Sequence, residues 1–320
     1  MSLLRSLGLR VLGLLASLLV ASVLIFLTTN ALPGDIAQVI LGTNAAPGEL
    51  EALRERLGLN RPLTVRYLEW IAGVVQGDFG TSMISGRDVV GLIAPRLEVS
   101  VSLTVLGMLL AVALSIPMGA FAAMRRRRTS GLVVSTISQV GLAVPSFWAG
   151  IWLVIIFAVY LRWFPAGGYV SIWVDPLLWA WHLVLPVTAL AIVQASLLSR
   201  YVRSSVVEVL GEDWFRTARS IGWSRVGALL RHGARNAGMS LLTVVGLQLA
   251  TVLVGAIIIE QVFAMQGLGS RLLLAVSQRD LVVVQAVVLL LVSAVLVINF
   301  LVDMTYQVLD PRIRRVGEAA

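Results

Sequence analysis

Six long apolar runs constrain this chain more than any other feature of its sequence. Each holds about twenty mostly apolar residues, the length that an α-helix needs to cross a hydrocarbon core about 30 Å thick. Helices suit lipid because their backbone groups are paired internally. The sequence therefore predicts an all-α integral membrane protein with six transmembrane helices. The predicted spans are residues 11–29, 99–123, 132–161, 182–201, 241–263 and 281–304.

The composition agrees with this class and excludes several kinds of chemistry. Of the 320 residues, 58% are hydrophobic and 13% are charged, whereas soluble domains are about 25% charged. The absence of cysteine excludes disulfides and thiolate ligands. All 25 basic residues are arginine, so a phosphate-binding loop of the G-x-x-x-x-G-K-[ST] type cannot exist. His182 and His232 are fifty residues apart, and we expect neither a metal site nor a cofactor in this chain.

The arginines predict how the spans are oriented. Sixteen of the 25 lie on one side of the six-span arrangement, in short segments near span ends, and the positive-inside rule places that side in the cytoplasm. Six of the other nine lie in the 31–98 segment, where eight acidic residues offset them. Both termini are therefore expected in the cytoplasm. The first run is interpreted as a retained span, because it is long for a signal peptide and lacks a small-residue cleavage site. The sixteen are Arg5, Arg10, Arg125, Arg126, Arg127, Arg128, the seven arginines within 200–235, Arg312, Arg314 and Arg315.

The longest polar interruption in the second half of the chain is residues 208–236. Asp213 is suited to cap a short helix that stops at Gly222, with an ion pair between Glu212 and Arg216 on one face. Apolar residues at helical spacing predict that the other face is apolar. These residues are Val207, Leu210, Trp214, Ala218 and Ile221. The residues alone leave two interpretations open, a helix that docks a soluble partner and a basic loop that only sets topology.

The motif RTARSIG (216–222), followed ten residues later by HGARNA (232–237), resembles the cytoplasmic loop of permease subunits in binding-protein-dependent ABC importers. The resemblance is to the dipeptide, oligopeptide and nickel branch in particular. In that family the loop forms a coupling helix, which sits in a groove of the ATPase and passes its closure to the membrane helices. Where the family usually ends the loop with Leu-Pro, this chain has Met239 and Ser240. The ATPase-coupling residues that the resemblance implies are Glu212, Asp213, Trp214, Phe215, Arg216, Ala218, Arg219, Ile221 and Gly222.

Other segments extend the resemblance over residues 1 to about 315. LGLNRP, YLEW and GDFGTS, within 57–82, resemble the extracytoplasmic segment of the same branch, although a small solvated loop domain would have a similar composition. A helix is expected at 47–58 in that segment. EQVFAMQGLG (260–269), with its glycines in a turn, resembles the block at the outer end of the fifth span. Asn299 and Asp303, with DPRIR (310–314), resemble the C-terminal signature.

The resemblance also implies an organisation along the chain. An N-terminal transmembrane helix (1–30) precedes an extracytoplasmic segment (31–96). A transmembrane domain like that of type I ABC importer permeases (97–306) then carries the coupling loop (204–238), and a cytoplasmic tail (307–320) follows. The translocation path is expected to use polar residues within the spans, because polar groups are costly in a membrane. The candidates are Gln139, Gln194, Gln248, Thr251 and Glu260. Each glutamine could instead make only an interhelical hydrogen bond, and Glu260 could be a structural cap.

The function implied by the resemblance is that of a non-catalytic permease subunit in the bacterial inner membrane. Its expected partners are a second homologous permease chain, two cytoplasmic ATPase subunits that bind ATP and Mg²⁺, an extracytoplasmic binding protein that delivers peptides, and membrane lipid, but no nucleic acid. Two alternatives are an ion-driven secondary transporter, which would place ionisable residues near span midplanes, and an intramembrane enzyme. No G-x-S-x-G or H-E-x-x-H motif supports the enzyme. Similar permeases handle dipeptides, longer peptides, nickel chelates and glutathione, so the substrate stays open.

Overall fold

The computed structural model of this chain is built of helices and describes residues 3–31, 36–42 and 47–309. Two π-helical segments, Val154–Tyr160 and Leu229–Gly233, directly follow α7 and α10, respectively. The helix expected at 47–58 is confirmed as α3. The α-helices are α1 (Leu3–Asn30), α2 (Ile36–Leu41), α3 (Pro47–Arg56), α4 (Leu63–Val75), α5 (Val89–Met124), α6 (Thr129–Ala143), α7 (Ser146–Leu153), α8 (Pro176–Val209), α9 (Asp213–Ser220), α10 (Arg225–Ala228), α11 (Ala234–Val262), α12 (Leu268–Gln278) and α13 (Leu281–Leu309).

Five of the six predicted spans are single helices within the described ranges, and one has a different shape. The third span, predicted at 132–161, consists of Thr129–Ala143 and Ser146–Tyr160, which are bent by 101°. The bend falls at Val144 and Pro145, which both have extended backbone. Proline lacks an N–H and disfavours the helical conformation of the residue before it, so the helix breaks at this point. The single helices are Leu7–Asn30, Val89–Met124, Pro176–Val209, Leu241–Val262 and Leu281–Thr305.

The chain divides into two compact units, of which the first comprises Met1–Glu98 and Gln266–Val297. Its core is an apolar cluster contributed by the start of α5, α12 and the first turns of α13. Helix α4 packs against the last turns of α1 through Phe26, whose ring centroid lies 5.4 Å from that of Tyr67 and 5.8 Å from that of Trp70. These contacts fix the segment that contains α4 to the first span.

The start of α12 corrects one sequence-based expectation. Gly267, Leu268 and Gly269 were expected in a turn, but Gly267 is the N-cap of α12 and the other two residues are helical. The helix is followed by Asp280, whose side chain is fully buried. Its carboxylate accepts hydrogen bonds from the Ser82 hydroxyl at 2.5 Å and from a backbone N–H at 3.2 Å. The GDFGTS segment is therefore held to α13 by a buried carboxylate.

The second unit comprises Val99–Met265 and Ile298–Ala320. Helix α8 is its central element, because α6, α7 and α11 all pack against it. Leu103, Leu190 and Ile259, from α5, α8 and α11, meet in one buried cluster. The carbonyl oxygen of Phe263 accepts a hydrogen bond from the Gly168 N–H at 2.9 Å, which ties the segment before α8 to the end of α11. The candidate site residues are all carried by this unit.

Candidate functional site

Helix α9 lies in the polar segment where the sequence predicts a short helix, but its first turn differs in detail. Asp213 was expected at the N-cap, whereas Glu212 occupies the N-cap and makes no side-chain capping bond. Asp213 is the first helical residue, where a negative charge is favourable next to the positive end of the helix dipole. The predicted Glu212–Arg216 ion pair is also wrong, since Arg216 lies 3.8 Å from Asp213 instead. Both side chains are highly exposed, so this pair contributes little to stability.

The predicted stop of this helix at Gly222 is confirmed. Gly222 has φ +98°, a left-handed conformation that a residue with a Cβ adopts only at a cost. Its N–H donates to the carbonyl of Arg219 at 3.2 Å, and the Trp223 N–H donates to that of Ala218 at 3.1 Å. This pair of hydrogen bonds is a Schellman motif, which satisfies carbonyls that the helix end would leave free. The exit direction of the chain from α9 is therefore fixed.

The apolar face of α9 packs against this chain itself. Phe215 is 5% exposed and Ala218 is also buried, whereas Ile221 is 71% exposed. Trp214 is half-buried against the same cluster, and its ring lies 6.0 Å from that of Phe215. The sequence grouped Ile221 with Trp214 and Ala218 on one apolar face, whereas in the structure Phe215 lies with Trp214 and Ala218 in the cluster and Ile221 is exposed. The residues that meet α9 in this cluster include Ala123, Val202, Val206, Val209, Ala228 and Leu229.

The segment after α9 is also held by contacts within the chain. The Ser224 hydroxyl accepts a hydrogen bond from the Gly227 N–H at 3.0 Å and caps α10. The Arg231 guanidinium lies over the Trp223 ring, 5.6 Å from its centroid. The side chains of Met239 and Ser240, which replace the family's Leu-Pro, lie outside the described residues. From α8 to the start of α11, the described segment forms one packed body around α9.

A polar cavity of about 330 Å³ lies between α5, α6 and α8. The Ser199 hydroxyl donates a hydrogen bond to Ser138 across it at 2.9 Å, and Gln139 also lines it. Arg203 carries a buried Nε without a hydrogen-bond partner in the described part of the chain. The lining residues are Met118, Gly119, Ala122, Ser135, Ser138, Gln139, Leu142, Ser196, Ser199, Arg200 and Arg203.

The sequence found only Gln139 among these polar lining residues. Ser135, Ser138 and Gln139 recur at helical spacing on α6, and so do Ser196, Ser199, Arg200 and Arg203 on α8. A polar stripe of this spacing in an apolar helix is the signal that could have found them, because it marks one face. Serine alone is a weak signal, since its hydroxyl also bonds to its own helix.

The remaining path candidates do not gather around this cavity. Gln194 is buried on α8, and its Oε1 has no hydrogen-bond partner among the described residues; the same is true of the Gln248 Oε1. Thr251 is exposed. Glu260 is fully buried, and its carboxylate accepts a hydrogen bond from the Ser100 hydroxyl at 2.5 Å. Among the described residues, no group of three or more His, Cys, Asp and Glu side chains could hold a metal ion.

Known proteins resemble this chain over nearly its whole length. A family model described as a binding-protein-dependent transport system inner membrane component matches residues 115–315, and a model of the N-terminal part of such components matches residues 3–104. The chain is 41% identical over 305 residues to a glutathione transport system permease protein of Salmonella choleraesuis, covering 95% of this chain and 97% of that one. It is 37% identical over 305 residues to a probable peptide ABC transporter permease protein of Sinorhizobium fredii, with the same coverage.

A third relative and a solved structure agree with these matches. The chain is 40% identical over 297 residues to a putative peptide transport system permease protein of Brucella abortus, covering 93% of this chain and 95% of that one. The crystal structure of an amino acid ABC transporter with histidines contains a chain with TM-score 0.50 and 18% identity, covering 68% of this chain and 94% of that one. At that identity the likeness supports the fold alone. The chain therefore belongs to the family of binding-protein-dependent transport system inner membrane components, as the non-catalytic permease subunit of an ABC importer.

Proposed function

We propose that this permease imports short peptides and that α9 transmits the movement of an ATPase to its membrane helices. The proposed partners are a second homologous permease chain, two cytoplasmic ATPase subunits that carry ATP and Mg²⁺, and an extracytoplasmic peptide-binding protein. The names of the relatives support the substrate class, since two are named for peptides and one for glutathione, itself a tripeptide. Family membership leaves the secondary transporter and the intramembrane enzyme without support.

The observation that carries the coupling role is the packing of α9. Its buried face, Phe215 and Ala218, is embedded in a cluster with α8 and α10, and the Schellman motif at Gly222 fixes its end. A force on α9 would therefore move α8 and the start of α11 as one body, which is how rigid-body switching transmits a difference in binding energy. The other face is exposed and available to an ATPase groove. Its exposed residues are Asp213, Arg216, Thr217, Arg219, Ser220 and Ile221.

We place α9 and both termini on the cytoplasmic side. The arginines of the α5–α6 turn and of the α8–α11 segment support this orientation, because short arginine-rich segments stay in the cytoplasm. The polar cavity lies within about two turns of the end of α5 and about two to four turns before the end of α8. We propose that it lines the cytoplasmic part of the translocation path, with Gln139 as a contact for peptide groups.

The five path candidates divide by exposure. Gln139 and Thr251 have exposed side chains and remain our candidates for the path. Gln194, Gln248 and Glu260 have buried polar atoms. The Oε1 atoms of both glutamines lack a hydrogen-bond partner among the described residues, whereas Glu260 accepts a hydrogen bond from another helix, which favours a role in holding helices together. The Ser100–Glu260 hydrogen bond in particular joins α5 to the end of α11. We therefore propose Glu260 as a structural contact in the state described by this structure.

Reconstitution tests the proposed function. The chain is assembled in liposomes with its partner permease, ATPase subunits and binding protein, and uptake of a labelled dipeptide and of labelled glutathione is measured with and without ATP. We expect ATP-dependent uptake of at least one of them and ATPase activity stimulated by the loaded binding protein. A complex that assembles and hydrolyses ATP but imports only a nickel chelate would refute the peptide assignment. A chain that imports without ATPase subunits would refute the coupling role of α9.

A further inference from the structure

Seven arginines from the described part of the chain surround one cavity of about 500 Å³ in the second unit. Four come from the turn between α5 and α6, and three come from α9 and α10. The other lining residues in the described ranges are apolar, and none is acidic. Only Arg216 has a carboxylate within 4.0 Å among the described residues, and that ion pair is highly exposed. The arginines are Arg125, Arg126, Arg127, Arg128, Arg216, Arg219 and Arg225.

Contacts within the chain hold the arginine turn in place. The Arg128 N–H donates to the carbonyl of Arg125 at 2.8 Å, and the Arg125 guanidinium lies 4.6 Å from the centroid of the Phe121 ring. A Cβ at position 131 would overlap the carbonyl of Arg125, so only Gly131 lets the first turn of α6 pack this closely. Arg219 is also held, because its Nη1 donates to the carbonyl of Trp223 at 2.5 Å. The backbone of the turn and the guanidinium groups of Arg125 and Arg219 are therefore held by contacts within the chain.

This concentration of like charge favours an anionic ligand. Unneutralised charges around one cavity repel each other and create a strong positive potential. The turn joins the end of α5 at Met124 to the start of α6 at Thr129, where two membrane helices end. Lipid headgroups lie at this depth, and basic pockets at the cytoplasmic ends of membrane helices suit anionic headgroups.

An apolar groove begins next to the arginine turn. It has a volume of about 320 Å³ and follows two turns of α6. Leu132, Val133 and Ile137 in it are each more than half exposed, whereas the charged turn directly precedes them in the chain. The arrangement of a cationic pocket followed by an apolar groove matches a phosphate headgroup followed by an acyl chain. The lining residues are Thr129, Leu132, Val133, Thr136 and Ile137.

We propose that the arginine pocket and the α6 groove together bind one anionic glycerophospholipid. Its phosphodiester neutralises arginines from both the α5–α6 turn and α9, and one acyl chain lies along α6. The lipid would thereby link α9 to the membrane surface through a contact that does not involve the ATPase. The competing occupants are an acidic surface of a partner protein and a free phosphate ion. Neither of them has an acyl chain that would fill the apolar groove.

Native mass spectrometry of the full chain in detergent tests this site, with phosphatidylglycerol and phosphatidylcholine as probes. The double variant Arg219→Gln/Arg225→Gln keeps the α5–α6 charges that help to set topology. We expect it to bind phosphatidylglycerol about 30-fold more weakly, at about fivefold per arginine, with phosphatidylcholine binding unchanged. Val133→Trp, which fills the groove, is expected to weaken phosphatidylglycerol binding as well. The control is Arg231→Gln, which removes one positive charge from the same loop but does not line the pocket, and it is expected to leave phosphatidylglycerol binding nearly unchanged.

Four outcomes would overturn the proposal. Phosphatidylglycerol and phosphatidylcholine could bind the unmodified chain equally well, or the double variant could bind phosphatidylglycerol as the control does. Inorganic phosphate could displace phosphatidylglycerol from the unmodified chain while Val133→Trp changes nothing, which would make the pocket a site for free anions. Loss of ATPase co-purification in the double variant, with phosphatidylglycerol binding intact, would assign the arginines to a protein partner.

Discussion

Substitutions on the two faces of α9 separate its proposed role in coupling from its role in folding. Ile221 is 71% exposed and Phe215 is 5% exposed, although both are large apolar residues of one short segment. Ile221→Ala removes three carbon atoms that touch little of this chain. Phe215→Ala removes a ring from the cluster that joins α9 to α8 and α10.

The structure predicts different effects of these substitutions on the free energy of unfolding and on binding. An exposed substitution changes the free energy of unfolding by about 0.5 kcal/mol or less, which is our expectation for Ile221→Ala. If an ATPase groove buries those three carbons, the loss of binding energy is about 2.4 kcal/mol, or roughly a 50-fold rise in Kd. Phe215→Ala is expected to cost about 3–5 kcal/mol of stability. Trp214→Ala is also expected to destabilise, since Trp214 is half-buried in the same cluster.

The assay measures ATPase affinity and thermal unfolding of each variant in the same detergent. Val226→Ala is the control, because Val226 is 51% exposed in the same loop but lies outside α9. We expect Ile221→Ala to lose affinity and transport-coupled hydrolysis at an unchanged Tm, and Phe215→Ala to lower the Tm. Equal ATPase affinity of Ile221→Ala and Val226→Ala would refute the idea that this face docks the ATPase. A lowered Tm for Ile221→Ala would refute the packing described for α9.

Four further predictions follow from single observations. A reporter fused after Gly222 is expected to read cytoplasmic and one fused after Gly58 extracytoplasmic, because of the arginine distribution; a cytoplasmic reading at Gly58 would contradict the orientation. The purified chain alone is expected to bind no nucleotide in a fluorescent-ATP titration, since it has no lysine for a phosphate-binding loop; saturable binding would disprove this. Gly246→Val is expected to lower the yield and Tm sharply, because a Cβ at this position would overlap the Val302 side chain; a normal Tm would show that α11 and α13 can move apart. Asp280→Ala is expected to cost about 3–5 kcal/mol in detergent unfolding, because it breaks a buried ion pair; a loss below about 1 kcal/mol would contradict that pairing.

The spans were predictable because the length of an apolar run can be read along the sequence without knowledge of tertiary contacts. A run of about twenty apolar residues has few alternatives to a membrane helix. The stop of α9 was predictable for a similar reason, since Gly222 needs no distant partner to adopt a positive φ. The shape of the span at 132–161 was harder to predict, because a proline within a span can either kink a helix or break it. Packing around Val144 and Pro145 decides between the two, and here the helix breaks.

Helix α12 was missed because it has only 11 residues, and short helices depend on their neighbours more than on propensity. Its buried residues pack with the first turns of α13 and with the start of α5, and α5 is distant in sequence. The polar cavity was missed for the same reason, since its lining residues lie on three separate helices and its serines on α6 and α8.

The sequence by itself determined the class of the protein, the number of its apolar runs, the sign of its charge near each span end and the family it resembles. These properties depend on residues that are near each other in the chain. Only the tertiary structure decided that Phe215 and not Ile221 faces inward. Helical spacing groups residues on one face of a helix, but it does not show which other element packs against that face. Only the tertiary structure brought the arginines of α9 and α10 beside the α5–α6 turn, since that approach depends on the packing of α9 against Ala123 and Val206.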